Sequence, residues 1–387
     1  FPQPDMATEI DPRVSIRNHE LKISMYCFLH TILKRQAMVC VFLLSLLCGG
    51  RGIGFADSFE NSFQTLALAS EDLTENNESH VFRTEGGGSS KNYHKALDKL
   101  IGGFEETGRV KIQPQRYPKI AIKLETRLAP GLQVSPKLVD ALLEILRLRG
   151  FQKSQIVLVD YDRRTLERAG FVDGTSAELS YKGHRVFSFT AQEYRKPDWF
   201  HDSPMPPAVH DRASYFLRYP TDAAKRAEEE RKSYLPTILF LDDFNWINLA
   251  VAMDDSNLGL DGASANLSLG AINNSTRFIQ KPTIAPAAVA EILAIPEIWE
   301  KRIFSLVDLA RFQFAGGQSF DAQFIGKSSS LVLGENPFCV DYVTWVELSK
   351  IRKISEFSHR SRKNALLFKY AQELGLGPVF SVRVHDL

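Results

Sequence analysis

The sequence predicts an α/β fold: an open, mostly parallel sheet, doubly wound and Rossmann-like, with helices on both faces. Three observations lead there. Short apolar runs alternate with amphipathic helical stretches along the chain. The runs are continuously hydrophobic, as in strands covered on two sides. One strand–helix–strand unit is legible between residues 120 and 159.

Taken in order, residues 1–56 read as upstream sequence and a signal peptide occupying about 25–56. Phe1 opens the chain and Met25 is the expected start. Basic Lys34 and Arg35 precede an apolar run, and small Gly54 and Ala56 suit signal peptidase, placing cleavage before Asp57. The run spans about a dozen residues, short of the roughly 20 that a spanning helix needs. A retained anchor and lipid attachment at Cys48 are the competing readings; Leu47 before that cysteine opposes the second. The protein is therefore expected to be exported, periplasmic or extracellular, with no transmembrane span in its mature form.

Residues 57–90 are polar and end in Gly86-Gly87-Gly88-Ser89-Ser90, which reads as a flexible linker. Lys91 follows those glycines, but the spacing of a phosphate loop is not met and no apolar strand is evident before them. Residues 91–387 then form the expected single α/β domain. It opens with a helix from about Tyr93 and a strand over 120–124. Ser135 and Pro136 start a helix whose apolar face is Leu138, Leu142, Ile145 and Leu146, and Gly150 stops it. A strand at 156–159 follows, with further strands expected at 185–189, 237–241, 303–307 and 331–333. Helices are expected near 221–233, 286–294, 338–350 and 362–374. The Pro-rich segment 196–220 is expected to be an ordered insertion or lid without regular structure.

Composition excludes some functions. The 387 residues carry a net charge of +1, so no overall field favours nucleic acid. Of the four cysteines only Cys339 lies beyond the apolar leader, leaving no internal disulfide and no thiolates for an iron–sulfur cluster. No nucleophile elbow, histidine pair at metal spacing or Cys–His arrangement is present.

Ligands of doubly wound sheets bind beyond the carboxyl ends of the strands, so polar residues just after apolar runs are the candidates. Lys123, Asp160 with Asp162 and Arg163, Asp242, Asp243 and Asn245, and Asp308 with Arg311 stand there. Each has a bland alternative as a helix cap, turn or solvated residue. Convergent acids could hold Mg²⁺ or Ca²⁺, although no dedicated metal spacing exists, and the cofactor is left unknown. Asn273, Asn274 and Arg277 could orient a carboxylate or phosphate, or could close a polar turn. In the last large helix Asn336 caps, Pro337 starts, and Asp341 is either a buried structural acid or a functional one.

Several of these residues resemble blocks of the domain of unknown function 362 family. Ile120-Ala121-Ile122-Lys123, Ser135-Pro136-Lys137-Leu138-Val139, Val159-Asp160 with Asp162-Arg163, Gly270-Ala271-Ile272-Asn273-Asn274 with Arg277, and Asn336-Pro337 through Asp341 follow in the family's order. Departures stand at Glu125, where the family has asparagine, and at Leu241-Asp242-Asp243, where many members carry a lysine–histidine motif. A family histidine after the arginine is replaced by Phe278-Ile279. The resemblance implies fold and topology; the strand-end residues themselves point to a cleft for a small anionic ligand in an enzyme, metal-assisted or not. Its anchors would be Lys123, Arg163 and Arg277, its acids Asp160, Asp308 and Asp341. The alternative is a non-catalytic envelope binding or accessory protein; no catalytic residue, metal ligand or protein partner is assigned.

Overall fold

The computed structural model describes residues 78–172, 178–189, 196, 199–203, 205, 209–237, 243–279, 281–358 and 360–387. The expected leader and most of the expected linker, residues 1–77, lie outside them. The first element among the described residues is strand β1 (Ser79–Glu85), and helix α1 (Ser90–Gly108) follows after a glycine-rich turn. The expected linker is thus corrected at its carboxyl end. Ser79–Glu85 form a short strand that the polar stretch before it obscures, and the described fold includes it ahead of the helix expected near Tyr93.

Strand β2 (Ile120–Lys123), helix α2 (Pro136–Leu148) and strand β3 (Ile156–Asp160) form the legible parallel unit. Pro136 takes the first helical position, but Ser135 makes no side-chain cap bond; its hydroxyl interacts with Tyr93 instead. Helix α3 (Arg163–Arg168) and the hairpin of β4 (Ser180–Tyr181) and β5 (His184–Ser188) complete the first half.

The Pro-rich segment is also corrected, because it contains β6 (Phe200–Asp202) and α4 (Val209–Arg218). Prolines 204, 206 and 207 fall between these elements, outside the described residues. Helix α5 (Ala223–Arg231) leads into β7 (Lys232–Tyr234), which pairs with β6 in a separate two-stranded ribbon. The strand expected at 237–241 lies almost wholly outside the described residues. The central strand is β8 (Asn245–Asp255), eight residues later. Its alanines have low strand propensity and Asn248 interrupts its apolar run, which hid it.

Strand β9 (Gly259–Asp261) folds back on β8. Gly259 is needed at this hairpin twice over: its φ is 87°, and a Cβ there would lie 2.2 Å from the Trp345 ring. Short helices α6 (Ala263–Leu267), α7 (Thr276–Ile279) and α9 (Pro296–Trp299) flank α8 (Ile284–Leu293). The rest comprises β10 (Arg302–Gln313), β11 (Ile325–Gly326), β12 (Ser330–Gly334), α10 (Pro337–Ile354), α11 (Leu366–Glu373) and β13 (Val382–Asp386).

The product is an α/β fold around an 11-stranded, mostly parallel sheet in the order β13-β1-β12-β10-β8-β2-β3-β5-β4, with β11 on β10 and β9 on β8. The block β10-β8-β2-β3-β5 is parallel. Strand β1 lies between the two last strands of the chain, β12 and β13.

Successive side chains of a strand point to opposite faces, and the core divides accordingly. Ile120, Ile122, Leu158, Ile247, Leu249, Phe304 and Leu306 pack with α1 and α2. Ala121, Val157, Val159, Ala250 and Val307 pack on the other face with α6, α8, α10 and α11. Cys339 belongs to the second layer, and burial pushes its thiol up to about 12, so it behaves as a core hydrophobe. No helix among the described residues is long and apolar enough to cross a membrane.

Candidate functional site

Past the carboxyl ends of β2, β3 and β8 lies a cleft of two adjoining lobes, about 250 and 290 Å³ in volume. The lobes share Glu125, Arg127, Leu269, Gly270, Ser275 and Thr276. This is where a doubly wound sheet places ligands. A larger groove of about 870 Å³ lies at the amino ends of β1, β8 and β10, lined by Ser79, Asn245 and Arg302 among others. Topology favours the smaller cleft, and Arg302 in the larger groove is already paired with Glu335 at 2.9 Å.

Lys123, the last residue of β2, points to the face of the sheet that carries α6 and is only 1% exposed. Its Nζ donates to Leu124 O, Asp160 Oδ1 and Asn266 Oδ1, each at 2.7 Å. An ammonium has three donors, so all are engaged. Asp160 is equally occupied: Oδ1 also accepts from Tyr161 N at 2.7 Å, and Oδ2 accepts from Thr126 N at 2.8 Å and from the Thr126 hydroxyl.

The network continues across the sheet. Lys123 is in register with Asn248 of β8, and Asn248 with Ser305 of β10. Asn266 Nδ2 donates to Asn248 Oδ1 at 2.8 Å, and Asn248 Nδ2 donates to Ala263 O at 2.7 Å and Ser305 Oγ at 3.2 Å. A buried, satisfied polar row therefore crosses three parallel strands, whose side chains can bond only at this register.

The other expected site residues are dispersed. Arg163 lies on the exposed side of α3, paired with Glu167 at 2.7 Å, and does not line the cleft. Asn273 and Asn274 line one lobe. Asn273 Oδ1 accepts from Tyr234 N at 2.7 Å, and Asn274 Nδ2 donates to Lys232 O at 2.9 Å, so the pair staples β7 to the cleft wall. Arg277 donates to Glu230 O, Arg231 O and Met205 O; its cation sits on the carboxyl end of α5, where the helix dipole favours it. Asp308 points to the opposite face of the sheet from Lys123. There it accepts from Tyr93 Oη at 2.7 Å, and burial raises its pKa. Asp341 lies behind α6, accepting from Ala263 N at 2.7 Å, Ser264 N at 2.8 Å and Ser264 Oγ at 2.5 Å. Burial pushes Asp341 up to about 7 against those hydrogen bonds. A Cβ on Gly262 would stand 2.4 Å from its Oδ1, so that close approach requires glycine. Asp243 lies beside Lys119 at 3.8 Å, and Asn245 begins β8 at the wrong end of the sheet for this cleft. Asp242 lies outside the described residues.

The expected anion anchors are thus already committed: Lys123 to a carboxylate and two carbonyl-type oxygens, Arg163 to Glu167, Arg277 to main-chain carbonyls. Of the charged groups that line the cleft, Arg127, Asp255 and Asp261 were not singled out from the sequence, and Glu125 only as a departure from the family. Arg127 pairs with Asp261 and lies 3.7 Å from Glu125 Oε1. Asp261 holds the guanidinium above its usual range. Asp255 Oδ1 accepts from Asn257 N and Leu258 N, closing the β8–β9 hairpin, and burial raises its pKa. Glu125 accepts no side-chain hydrogen bond among the described residues; burial, opposed by Arg127 and Lys123, pushes it up to about 7. The available signal was the alternation Lys123, Glu125, Arg127, which carries one strand face onward past the strand end. Among the described residues no group of three His, Cys, Asp or Glu side chains could hold a metal ion.

Neither a family model nor a curated protein matches the chain. A crystal structure of a Thermotoga maritima protein from the Northeast Structural Genomics Consortium is similar at 12% identity and a TM-score of 0.35. The alignment covers 69% of this chain and 60% of that protein, less than two thirds of its length.

Proposed function

We propose that this is an exported, enzyme-like α/β protein that binds a small polar organic molecule in the cleft beyond β2, β3 and β8, with Glu125 as its proton-accepting group. The observation that supports it is Glu125 itself: a buried carboxyl that accepts no side-chain hydrogen bond among the described residues, pushed by burial up to about 7, in both lobes of a cleft at the topologically favoured edge. Perturbed acids in clefts are the groups that proton-transfer chemistry uses. Membership of the domain of unknown function 362 family rests on the ordered sequence blocks.

Because folding raises the pKa of Glu125, this carboxyl stabilises the protein fully below about pH 4.5 and that contribution is lost as pH rises through about 7. Glu125→Gln is expected to flatten stability over that window when thermal midpoints are recorded from pH 4 to 8. A ligand at about 100 times its Kd adds about 2.7 kcal/mol, a midpoint rise of several degrees. A panel of small polar molecules that shifts the natural protein but not Glu125→Gln supports the reading; equal shifts in both place the ligand elsewhere.

A non-catalytic binding role is the second reading, favoured by the full occupation of Lys123 and Asp160, which leaves that pair no free proton donor or acceptor geometry for chemistry. Turnover of a bound ligand excludes it. Export is tested by the intact mass of the protein recovered outside the cytoplasm. A chain beginning at Asp57 is expected, and a mass that retains residues 37–48 contradicts cleavage.

A further inference from the structure

We infer that the ligand carries a protonated amine, which the cleft seats between the Glu125 carboxylate and the Asn274 side-chain oxygen. The inference rests on the cleft reading above and names its ligand class.

Charge is the first argument. Once Lys123 is matched with Asp160, the remaining cation that lines the cleft among the described residues is Arg127, and it faces Asp261 and Glu125 together. The cleft is short of positive charge, so an anion would add repulsion while an ammonium would supply what is missing.

The second argument is independent of charge. Asn274 is 4% exposed, and its Oδ1 has no hydrogen-bond partner among the described residues. The amide orientation is set by the bond from Nδ2 to Lys232 O at 2.9 Å, so the oxygen is the atom left over. Asn274 and Glu125 line the same lobe. A buried acceptor without a partner is costly, and a donor from the ligand would relieve it. Asn274 Oδ1 and the Glu125 carboxylate, which shares Arg127 with Asp261, both act as acceptors, and an ammonium is a cation with three donors and no acceptor.

The test is isothermal titration calorimetry of the intact protein with ethanolamine, choline, glycolate and ethylene glycol. These probes share a two-carbon hydroxylated frame and differ at the other end. Ethanolamine should bind, and choline, which keeps the charge but has no N–H, should bind at least about tenfold more weakly, the loss expected when a charged donor is removed. Glycolate and ethylene glycol should not bind. Glu125→Gln, which preserves shape, and Asn274→Ala should each weaken ethanolamine by about tenfold or more. Glycolate or ethylene glycol binding more tightly than ethanolamine overturns the amine inference and leaves the cleft reading standing. Absence of binding by all four overturns both. Equal affinity for ethanolamine and choline removes Asn274 from the site.

Discussion

Lys123→Met is expected to lower stability by about 3–5 kcal/mol, the cost of stranding one member of a buried ion pair. At roughly 2–4 °C per kcal/mol for a domain of this size, the thermal midpoint should fall by about 10 °C. The physical reason lies in what is left behind: Asp160 Oδ1, Asn266 Oδ1 and Leu124 O lose their shared donor in a site closed to water. The double variant Lys123→Met with Asp160→Leu is expected to recover part of the loss, since it removes the orphaned charge. A Lys123 that served a ligand instead would give a small midpoint change in the single variant and a loss of ligand binding. Differential scanning calorimetry of the two variants separates these outcomes.

Asp341→Ala should cost a comparable amount. Two main-chain N–H groups at the start of α6 and the Ser264 hydroxyl lose their acceptor together, at about 1–3 kcal/mol for each buried donor left unmet. The effect depends on pH. Folding raises this carboxyl from its ordinary value to about 7, so the stability its protonation confers is present below about pH 4 and is lost as pH rises through about 7. The midpoint difference between the natural protein and Asp341→Ala should therefore change across that window, measured at pH 4, 6 and 8. A difference that stays constant, or that stays within about 0.5 kcal/mol as for an ordinary surface substitution, would show that α6 is capped by other means.

The two sites are connected. Asp341 fixes the first turn of α6, and Asn266 of the same helix receives Lys123. What the resemblance grouped as candidate ligand residues is, in these two cases, the internal bracing of the cleft floor. A buried brace and a catalytic pair present the same residue types at the same sequence positions. The distinction depends on which partner oxygens arrive from elsewhere in the fold, and Asn266 is 143 residues from Lys123.

The sheet and its parallel centre were legible because β2, β3, β10 and β12 are apolar on both faces, a pattern that two-sided burial imposes locally. Strand β8 was not, since its small alanines are selected by close packing against helices rather than by strand propensity. The site was legible only as a location. Asp308 shows why: it follows an apolar run as Lys123 does, yet its place in the pleat turns it to the other face, and parity is visible only once register is known. Arg277 donates to carbonyls at the end of α5, some 46 residues away, and does not line the cleft, a placement invisible in the sequence.

The placement of β1 between β12 and β13 also governs when the molecule can become whole. A chain made from its amino end displays Val81 and Phe82 long before their partners in β12, about 250 residues later, exist. Until then one margin of the sheet is an open row of hydrogen-bonding groups, prone to capture by any passing strand.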